Sequence, residues 1–395
     1  MRFVYGLLCL LLAFAGVLSG QVIDIGEATR VGEGRIAVAL ESSDPMLLNW
    51  MRRAFGLHGA YTLTVVEQSA FIFQVERASG ASVLLTIRSG QPAQELLRRT
   101  VPGRDVEHAA LRAADLAVEA TLHTPGFFAG KLAFVAKQQG IAEIYTADLL
   151  FNQVRALTAD RAPVNSPSWS PDGTRLLYTT YHKTGFPDIY MLDLRHGRTQ
   201  AIATYKGTNF SADFSPDGRW IAMALSSPGN AEIFVADANG KRPRRLTMNK
   251  SLEASPTWSP DGRRLVFTSD ARGKPQLYEI AVSGGAMRRL PTNISRYCAE
   301  PAWNPVNEDL IAFTAAVAGG FQIALYDVDA GSSRVLTSVS TSAVEPEWLN
   351  DGRHLVFTQR EQYRTRLMLL DVETGKVSPL HLPEFGDASS ASFVY

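Results

Sequence analysis

Cysteine is nearly absent from this chain of 395 residues. The two cysteines are Cys9 and Cys298, too few for the disulfide framework of a small secreted domain or for a zinc site built from paired cysteines. The fold must therefore rest on a buried core, and an apolar fraction of 46% provides the side chains for one.

An excess of charge of either sign is also absent. Lys and Arg number 39, as do Asp and Glu, so the composition gives no reason to expect a nucleic acid or an anionic membrane as partner. The basic run at 241–245 falls in a predicted turn, where we expect solvated side chains.

Long apolar runs are missing apart from one at the N-terminus. Met1 and Arg2 precede an apolar stretch from Phe3 to Val17, and the small residues Ser19 and Gly20 follow. This pattern predicts a secretory signal peptide over residues 1–20 and an exported protein. The run is short for a membrane span, and an uncleaved anchor is the alternative; after removal of the signal we expect no membrane span.

Familiar catalytic motifs are missing too. We find no Gly-x-Ser-x-Gly elbow, no His-Glu-x-x-His, no phosphate-binding loop and no paired-cysteine site. Gly32-Glu-Gly34 resembles part of a dinucleotide fingerprint, but it precedes a predicted strand instead of following one. We therefore expect no catalytic residue, no metal site and no cofactor.

The chain does contain a repeat. The sequence Ser-Pro-Asp-Gly occurs at 170–173, 215–218 and 259–262, each time after an aromatic residue. Aromatic residues recur every 44 or 45 positions, and one further step reaches Phe393; they are Trp169, Phe214, Trp258, Trp303 and Trp348. The spacing predicts six copies of one structural unit.

Each copy has the pattern of a four-stranded blade, so the predicted fold is mainly β, a six-bladed β-propeller. In the third unit we expect strands at 256–258, 264–269, 276–281 and 287–290. The Pro-Asp-Gly triplet predicts a tight turn between the first two strands, and the aromatic before it is expected to pack between blades. The strand around Phe393 is expected to pair with the one beginning at Lys131, which closes the ring and removes an open sheet edge.

The repeat is absent from residues 21–125, where a small α/β domain is predicted ahead of a propeller at 126–395. Apolar spacing predicts helices over 44–57 and from a cap at Asp105 to Leu122. Strands are expected at 35–40, 61–66, 71–75, 82–88 and 95–101.

A propeller without catalytic motifs is a binding architecture. The segments ahead of the innermost strands should gather around one mouth of the central channel. Their mixture of polar and aromatic side chains suits a peptide or protein partner, although solvated loops without a partner are the alternative at each position. The candidates are Asn165, Ser166, Asn209, Phe210, Glu253, Arg296, Glu300 and Glu345.

The signal peptide, the leading α/β region, the junction at 124–135 and the Ser-Pro-Asp-Gly blades together resemble the TolB family. The resemblance implies a non-enzymatic periplasmic protein of a Tol-Pal system, which supports envelope integrity and cell division. It implies that a Pal-like lipoprotein binds the propeller mouth near Thr208, Asn209, Phe210, Glu253 and Ala254. It also implies contact with a TolA-like inner-membrane protein through Gln21, Val22, Ile23 and Asp24.

Two other classes stay open at this point. An exported propeller enzyme, either a metal-dependent polysaccharide lyase or a relative of the propellers that cap prolyl peptidases, would use the same blades. A glycan-binding propeller without turnover is the third possibility. Metal analysis of the purified protein separates the lyase from the others.

Overall fold

The structure is a computed structural model, and it describes residues 34–90, 92–138, 140–317 and 319–395. The predicted signal peptide at 1–20 and the segment Gln21–Asp24 lie outside the described residues. Within them, no helix is both long and apolar enough to span a bilayer.

The N-terminal α/β region is one five-stranded sheet with two helices. Its helices are α1 (Pro45–Leu57) and α2 (Val106–Leu122), and the sheet has the order β2-β1-β3-β4-β5. The strands are β1 (Ile36–Glu41), β2 (Tyr61–Leu63), β3 (Phe71–Arg77), β4 (Ser82–Ser89) and β5 (Gln94–Pro102). β1 pairs in parallel with β2 and β3, whereas β3, β4 and β5 form an antiparallel meander.

Both predicted helices are present, and each begins at an aspartate cap. Asp44 Oδ1 accepts from the backbone N–H of Met46 at 2.8 Å, and Asp105 Oδ1 accepts from that of His108 at 2.7 Å. The strand expected at 61–66 is shorter than predicted, because the chain leaves the sheet after Leu63 and forms a 3₁₀ turn over Val66–Gln68.

Six four-stranded antiparallel sheets follow, as predicted. Blade 1 contains β9 (Val164–Trp169), β10 (Arg175–Thr180), β11 (Asp188–Asp193) and β12 (Arg198–Ala203). Blade 2 contains β13 (Asn209–Phe214), β14 (Trp220–Leu225), β15 (Glu232–Asp237) and β16 (Arg244–Arg245). Blade 3 contains β17 (Glu253–Trp258), β18 (Arg264–Ser269), β19 (Gln276–Ala281) and β20 (Arg288–Arg289).

Blade 4 contains β21 (Cys298–Trp303), β22 (Leu310–Val317), β23 (Gly320–Asp327) and β24 (Ser332–Val335). Blade 5 contains β25 (Ser342–Trp348), β26 (His354–Arg360), β27 (Thr365–Asp371) and β28 (Val377–Pro379). Blade 6 joins the two ends of the propeller: β29 (Asp387–Val394) pairs with β6 (Lys131–Gln138), followed by β7 (Ile141–Asp148) and β8 (Arg155–Ala156).

The predicted ring closure is confirmed at the level of single residues, since Phe393 lies opposite Leu132 and Val394 opposite Lys131. The predicted turn is confirmed as well. In the first copy Ser170 Oγ donates to Asp172 Oδ1 at 2.6 Å, Asp172 Oδ1 accepts from the N–H of Thr174 at 3.1 Å, and Gly173 has a φ of 64°. That positive φ is what glycine supplies in such a turn.

The repeated aromatic residues pack between neighbouring blades, as expected. Trp258 of blade 3 lies in one buried cluster with Ala222 and Ile233 of blade 2. Its Nε1 donates across the same boundary to the carbonyl of Asp213 at 3.1 Å. A separate cluster joins the α/β region to blades 5 and 6 and includes Phe55, Phe128 and Leu369. The propeller and the α/β region therefore share a core.

Candidate functional site at the channel mouth

Every innermost strand contains the same backbone irregularity. One residue in each has a left-handed φ between 50° and 57°, and the strand pairing shifts register at that point. Such a bulge bends a strand and changes where its side chains point. The six residues are Ser166, Ser211, Ser255, Glu300, Glu345 and Ser390.

The bulge also explains a difference from the sequence prediction. The first strand of blade 3 was expected from residue 256, but it begins three residues earlier, at Glu253. Glu253 and Ala254 pair with Ser269 and Thr268 before the bulge, and Thr257 resumes the pairing after it. Several candidate residues expected in loops ahead of the inner strands therefore belong to those strands.

The innermost strands surround a cavity of about 670 Å³. Both the bulge residues and the residues two positions later line it. This second ring contains Ser168, Asp213, Thr257, Ala302, Glu347 and Ser392. The cavity is therefore bordered by two layers of mostly hydroxyl and carboxylate side chains.

Residues of the second ring form hydrogen bonds between neighbouring blades. Thr257 Oγ1 accepts from the N–H of Trp303 at 3.4 Å, and Glu347 Oε1 accepts from that of Phe393 at 3.0 Å. Ser392 Oγ accepts from the N–H of Trp169 at 3.1 Å, across the closing boundary of the ring. These bonds hold the innermost strands in a fixed arrangement around the channel.

The bulge ring repeats this device with carboxylates. Glu300 Oε2 accepts from the N–H of Glu345 at 3.0 Å, and Glu345 Oε2 accepts from the N–H of Ser390 at 3.1 Å. Arg360 donates to Glu345 Oε1 at 2.5 Å. Burial raises the pKa of Glu300, and the nearby charge of Glu345 adds to the rise.

Two deeper carboxyls have larger shifts. Burial raises the pKa of Glu347 to about 8 and that of Asp213 to about 6. The hydrogen bond from Phe393 to Glu347, and the one from Ser168 Oγ to Asp213 Oδ1 at 2.8 Å, oppose the rise without cancelling it. Near neutral pH the channel is thus a site where carboxyls gain or lose protons.

The structure brings together part of the predicted set. Asn165, Ser166, Thr208, Phe210, Glu300 and Glu345 all line the cavity. Arg296 is exposed in the connection before β21, and Ala254 is half-buried in β17.

Asn209 and Glu253 are placed differently from the prediction, because both side chains are buried. Asn209 Nδ2 donates to Asp188 Oδ1 and to the carbonyl of Tyr205, both at 2.9 Å. Glu253 Oε1 accepts from Ser269 Oγ at 2.7 Å. These contacts position the neighbouring rim loops, and a direct partner contact by either side chain stays a prediction.

Asp213 and Glu347 were missed by the sequence reasoning. Both stand immediately before a repeated aromatic residue. The aromatic side chain packs between blades, so the alternation of a strand turns the preceding side chain to the opposite face, toward the channel. That signal was present in the repeat.

A second polar cluster lies between the α/β region and blade 5. Potential metal-ligating atoms of His58, His354 and Asp371 all lie within 4.8 Å of one another. Arg353 donates to Asp371 Oδ2 from Nε at 3.0 Å and from Nη2 at 2.8 Å, and the N–H of Ala60 donates to His58 Nδ1 at 3.2 Å. In this buried ion network Asp371 Oδ2 and His58 Nδ1 are engaged by these donors, whereas His354 Nε2, 3.3 Å from Asp371 Oδ2, has no hydrogen-bond partner.

The pKa values of the two histidines in this network shift in opposite directions. Burial lowers the pKa of His354, but the hydrogen bond to Asp351 and the charge of Asp371 outweigh burial and the net shift is upward. The pKa of His58 is lowered, first by burial and then by the charge of His354. Of the two imidazoles, His354 therefore has the higher pKa.

Comparisons with known proteins agree with this architecture. The crystal structure of TolB from Acinetobacter baumannii superposes with a TM-score of 0.81 at 24% identity, covering 91% of this chain and 97% of that one. This likeness shows the shared fold.

Curated relatives match over a shorter stretch. The Tol-Pal system protein TolB of Alcanivorax borkumensis is 33% identical over 129 residues, 32% of this chain and 29% of the relative. The protein of the same name from Francisella tularensis subsp. mediasiatica is 38% identical over 108 residues, 26% of this chain and 25% of the relative. The alignments thus span under a third of either relative's length.

A family model described as the TolB beta propeller domain matches residues 119–393. That range is more than half of the chain and runs from the end of α2 through the strand that closes the ring. The chain therefore belongs to the TolB β-propeller family.

Proposed function

We propose that this protein is a non-enzymatic periplasmic component of a Tol-Pal-like system, with domains at 21–125 and 126–395 after a signal peptide at 1–20. Its channel mouth binds a Pal-like lipoprotein, and Gln21–Asp24 contact a TolA-like inner-membrane protein. The complex serves envelope integrity and cell division, and it involves no nucleic acid. Family membership and the names of the relatives support the system, and the geometry of the mouth supports the binding role.

One observation carries the binding role. Several polar side chains of the two rings accept hydrogen bonds from the next blade, while Asn165, Thr208 and Phe210 line the cavity beside them. A rigid concave surface with a half-buried aromatic side chain suits a protein partner. Its side chains are already fixed, so little conformational entropy is lost on binding.

The proposal is tested by measuring binding of the purified ectodomain of the organism's Pal-like lipoprotein to the mature protein. Phe210→Ala is expected to weaken binding by at least about tenfold, as for a contact residue at the centre of an interface. Trp220→Ala is the matched control, since Trp220 is an exposed aromatic residue at the other end of a neighbouring strand. Absence of lipoprotein binding by the unaltered protein would overturn the proposal.

The TolA part is tested separately. A chain lacking residues 21–24 is expected to lose binding to the TolA-like periplasmic domain and to keep binding to the lipoprotein. Equal binding of the TolA-like domain by both chains would remove that part of the proposal alone.

A further inference from the structure

The loops around half of the channel mouth have an unbalanced charge. They are the loops of blades 1–3 and their connections, at 181–187, 204–208, 226–231, 246–252, 270–275 and 290–297, which we call the rim arc. Six exposed basic side chains project from it: Lys183, Lys206, Lys250, Arg272, Lys274 and Arg296. The protein as a whole has no net charge, so the rim arc concentrates positive charge locally.

The arc contains a single acidic residue, Asp270. Asp270 is half-buried, and its Oδ1 accepts from the N–H of Leu252 at 2.8 Å. It holds the neighbouring connection in place. The positive field of the rim arc is therefore only weakly offset by its own loops.

Large apolar side chains are exposed on the same arc. Phe186 is 63% exposed and Met248 80%, and Tyr205 and Leu252 are also exposed. Apolar groups collected beside a concave site, and interleaved with charged groups, are typical of interaction surfaces.

Hydrogen bonds join neighbouring loops of the arc: the N–H of Ser226 donates to the carbonyl of Thr208 at 2.9 Å, and the N–H of Asp270 donates to the carbonyl of Leu252 at 3.3 Å. Other bonds join the loops to the inner strands that follow. The N–H of Asn209 donates to the carbonyl of Pro187 at 2.9 Å. In the same way, the N–H of Glu253 donates to the carbonyl of Ala231, and the N–H of Cys298 donates to the carbonyl of Pro275, both at 2.9 Å. Leu252 also lines the channel cavity, so the arc continues into the mouth.

We infer that the rim arc docks the acidic face of a protein partner, one that places apolar side chains against Phe186 and Met248 and surrounds them with carboxylates. This inference rests on the proposed function, because it describes the partner of the same mouth. Positive charge at a rim raises the association rate of an acidic partner and fixes its orientation.

The acidic side chains inside the mouth favour a protein partner over an anionic membrane. Glu300, Glu345 and Glu347 line the cavity that the arc borders. A planar layer of phosphates would meet acidic side chains here and, among the described residues that line the cavity, no basic ones, whereas a protein can meet the arc with carboxylates and leave the cavity to other groups.

The experiment compares two charge reversals. Lys206→Glu, Lys250→Glu and Lys274→Glu are combined on the rim arc, and Arg219→Glu, Lys241→Glu and Arg263→Glu are combined at the opposite end of blades 2 and 3. All six side chains are exposed, and the two variants have the same net charge. Binding of the lipoprotein ectodomain is measured by surface plasmon resonance at several salt concentrations, with anionic phosphatidylglycerol vesicles as a second probe.

The arc variant is expected to bind the ectodomain at least about tenfold more slowly, with a smaller salt dependence, and the control variant to bind like the unaltered protein. An equal decrease of the association rate in both variants would overturn the inference and leave the proposed function standing. So would ectodomain binding that does not change with salt concentration. Failure of the ectodomain to bind at any salt overturns both. Vesicle binding that the arc variant abolishes, without a matching effect on the ectodomain, overturns the assignment to a protein.

Discussion

The imidazole ring of His58, at the end of α1, lies edge to face with that of His354 in blade 5, and the ring centroids are 4.6 Å apart. Both side chains are buried. Two charged imidazoles at this distance would repel each other, and their pKa values shift in opposite directions, that of His354 upward and that of His58 downward. We therefore expect the attachment of the α/β region to the propeller to depend on pH.

Replacing His354 with glutamine should destabilise the protein strongly. His354 Nδ1 lies 2.5 Å from Asp351 Oδ2, and the variant leaves buried carboxylates without that positive charge. Removing one partner of a buried pair costs about 3–5 kcal/mol of unfolding free energy. His196→Gln is the control, because His196 makes the same type of contact to Asp193 while exposed. Urea unfolding near neutral pH measures both, and an equal loss would contradict the role of burial.

His354 also predicts how the free energy of unfolding changes with pH. The pKa of His354 is raised in the folded state, so its stabilisation is complete below the unfolded pKa and is lost as pH rises through the folded one. The difference in unfolding free energy between the unaltered protein and His354→Gln should therefore shrink from pH 6 to alkaline pH. A difference that stays constant over this range would show that His354 is not the titrating group.

Glu347 in the channel should act in the opposite sense to an ordinary surface carboxylate. Its pKa is raised to about 8, so the unfolded chain ionises first and the folded protein loses stability as pH rises from about 4 to about 8. Glu347→Gln keeps an oxygen for the N–H of Phe393 and removes this loss. The variant should gain stability relative to the unaltered protein as pH rises from 5 to 9. Glu95→Gln, an exposed carboxylate, is the control.

The repeated aromatic residues should differ in importance from other tryptophans. Trp258 is 5% exposed between blades 2 and 3, whereas Trp220 is 47% exposed. Trp258→Ala is expected to cost about 3–5 kcal/mol of unfolding free energy, and Trp220→Ala little. Denaturant unfolding followed by circular dichroism tests this difference. Similar midpoints for the two variants would contradict the packing described here.

Two glycines give a matched test of ring closure. A Cβ at Gly130 would lie 2.2 Å from Cζ of Phe393, and one at Gly56, in α1, meets nothing within 4 Å. Gly130→Ala should displace the closing strand and lower the thermal midpoint. Gly56→Ala should raise the unfolding free energy by up to about 1 kcal/mol, because alanine favours helix more than glycine does. A neutral Gly130→Ala would show that the closing strand tolerates a shift.

The sequence predicted the propeller well because every blade repeats the same local rules. Trp169 and its counterparts mark the blade boundaries, and in three blades Pro-Asp-Gly marks a turn that is closed by local hydrogen bonds, such as those of Ser170 and Thr174 to Asp172. The two aspartate caps of the α/β region are equally local. Such signals need no knowledge of distant residues.

The candidate site was predicted less completely, since its geometry depends on long-range pairing. The left-handed bulge at Ser255 cannot be recognised without its partner strand, and it moves the start of β17 to Glu253. The ion network of His58 and His354 joins residues from separate parts of the chain. The sequence around either histidine does not predict a contact with the other. Tertiary contacts of this kind decide which polar side chains face the channel.

Blade 6 is assembled from β6, β7 and β8, which come early in the propeller, and from β29, which comes last. The first three of these strands therefore keep an unpaired edge until some 230 further residues have been synthesised. A chaperone that shields exposed strand edges would have its natural substrate in this interval. A chain that ended before residue 387 would have five complete blades and an open edge on the sixth sheet, where wrong pairing could occur.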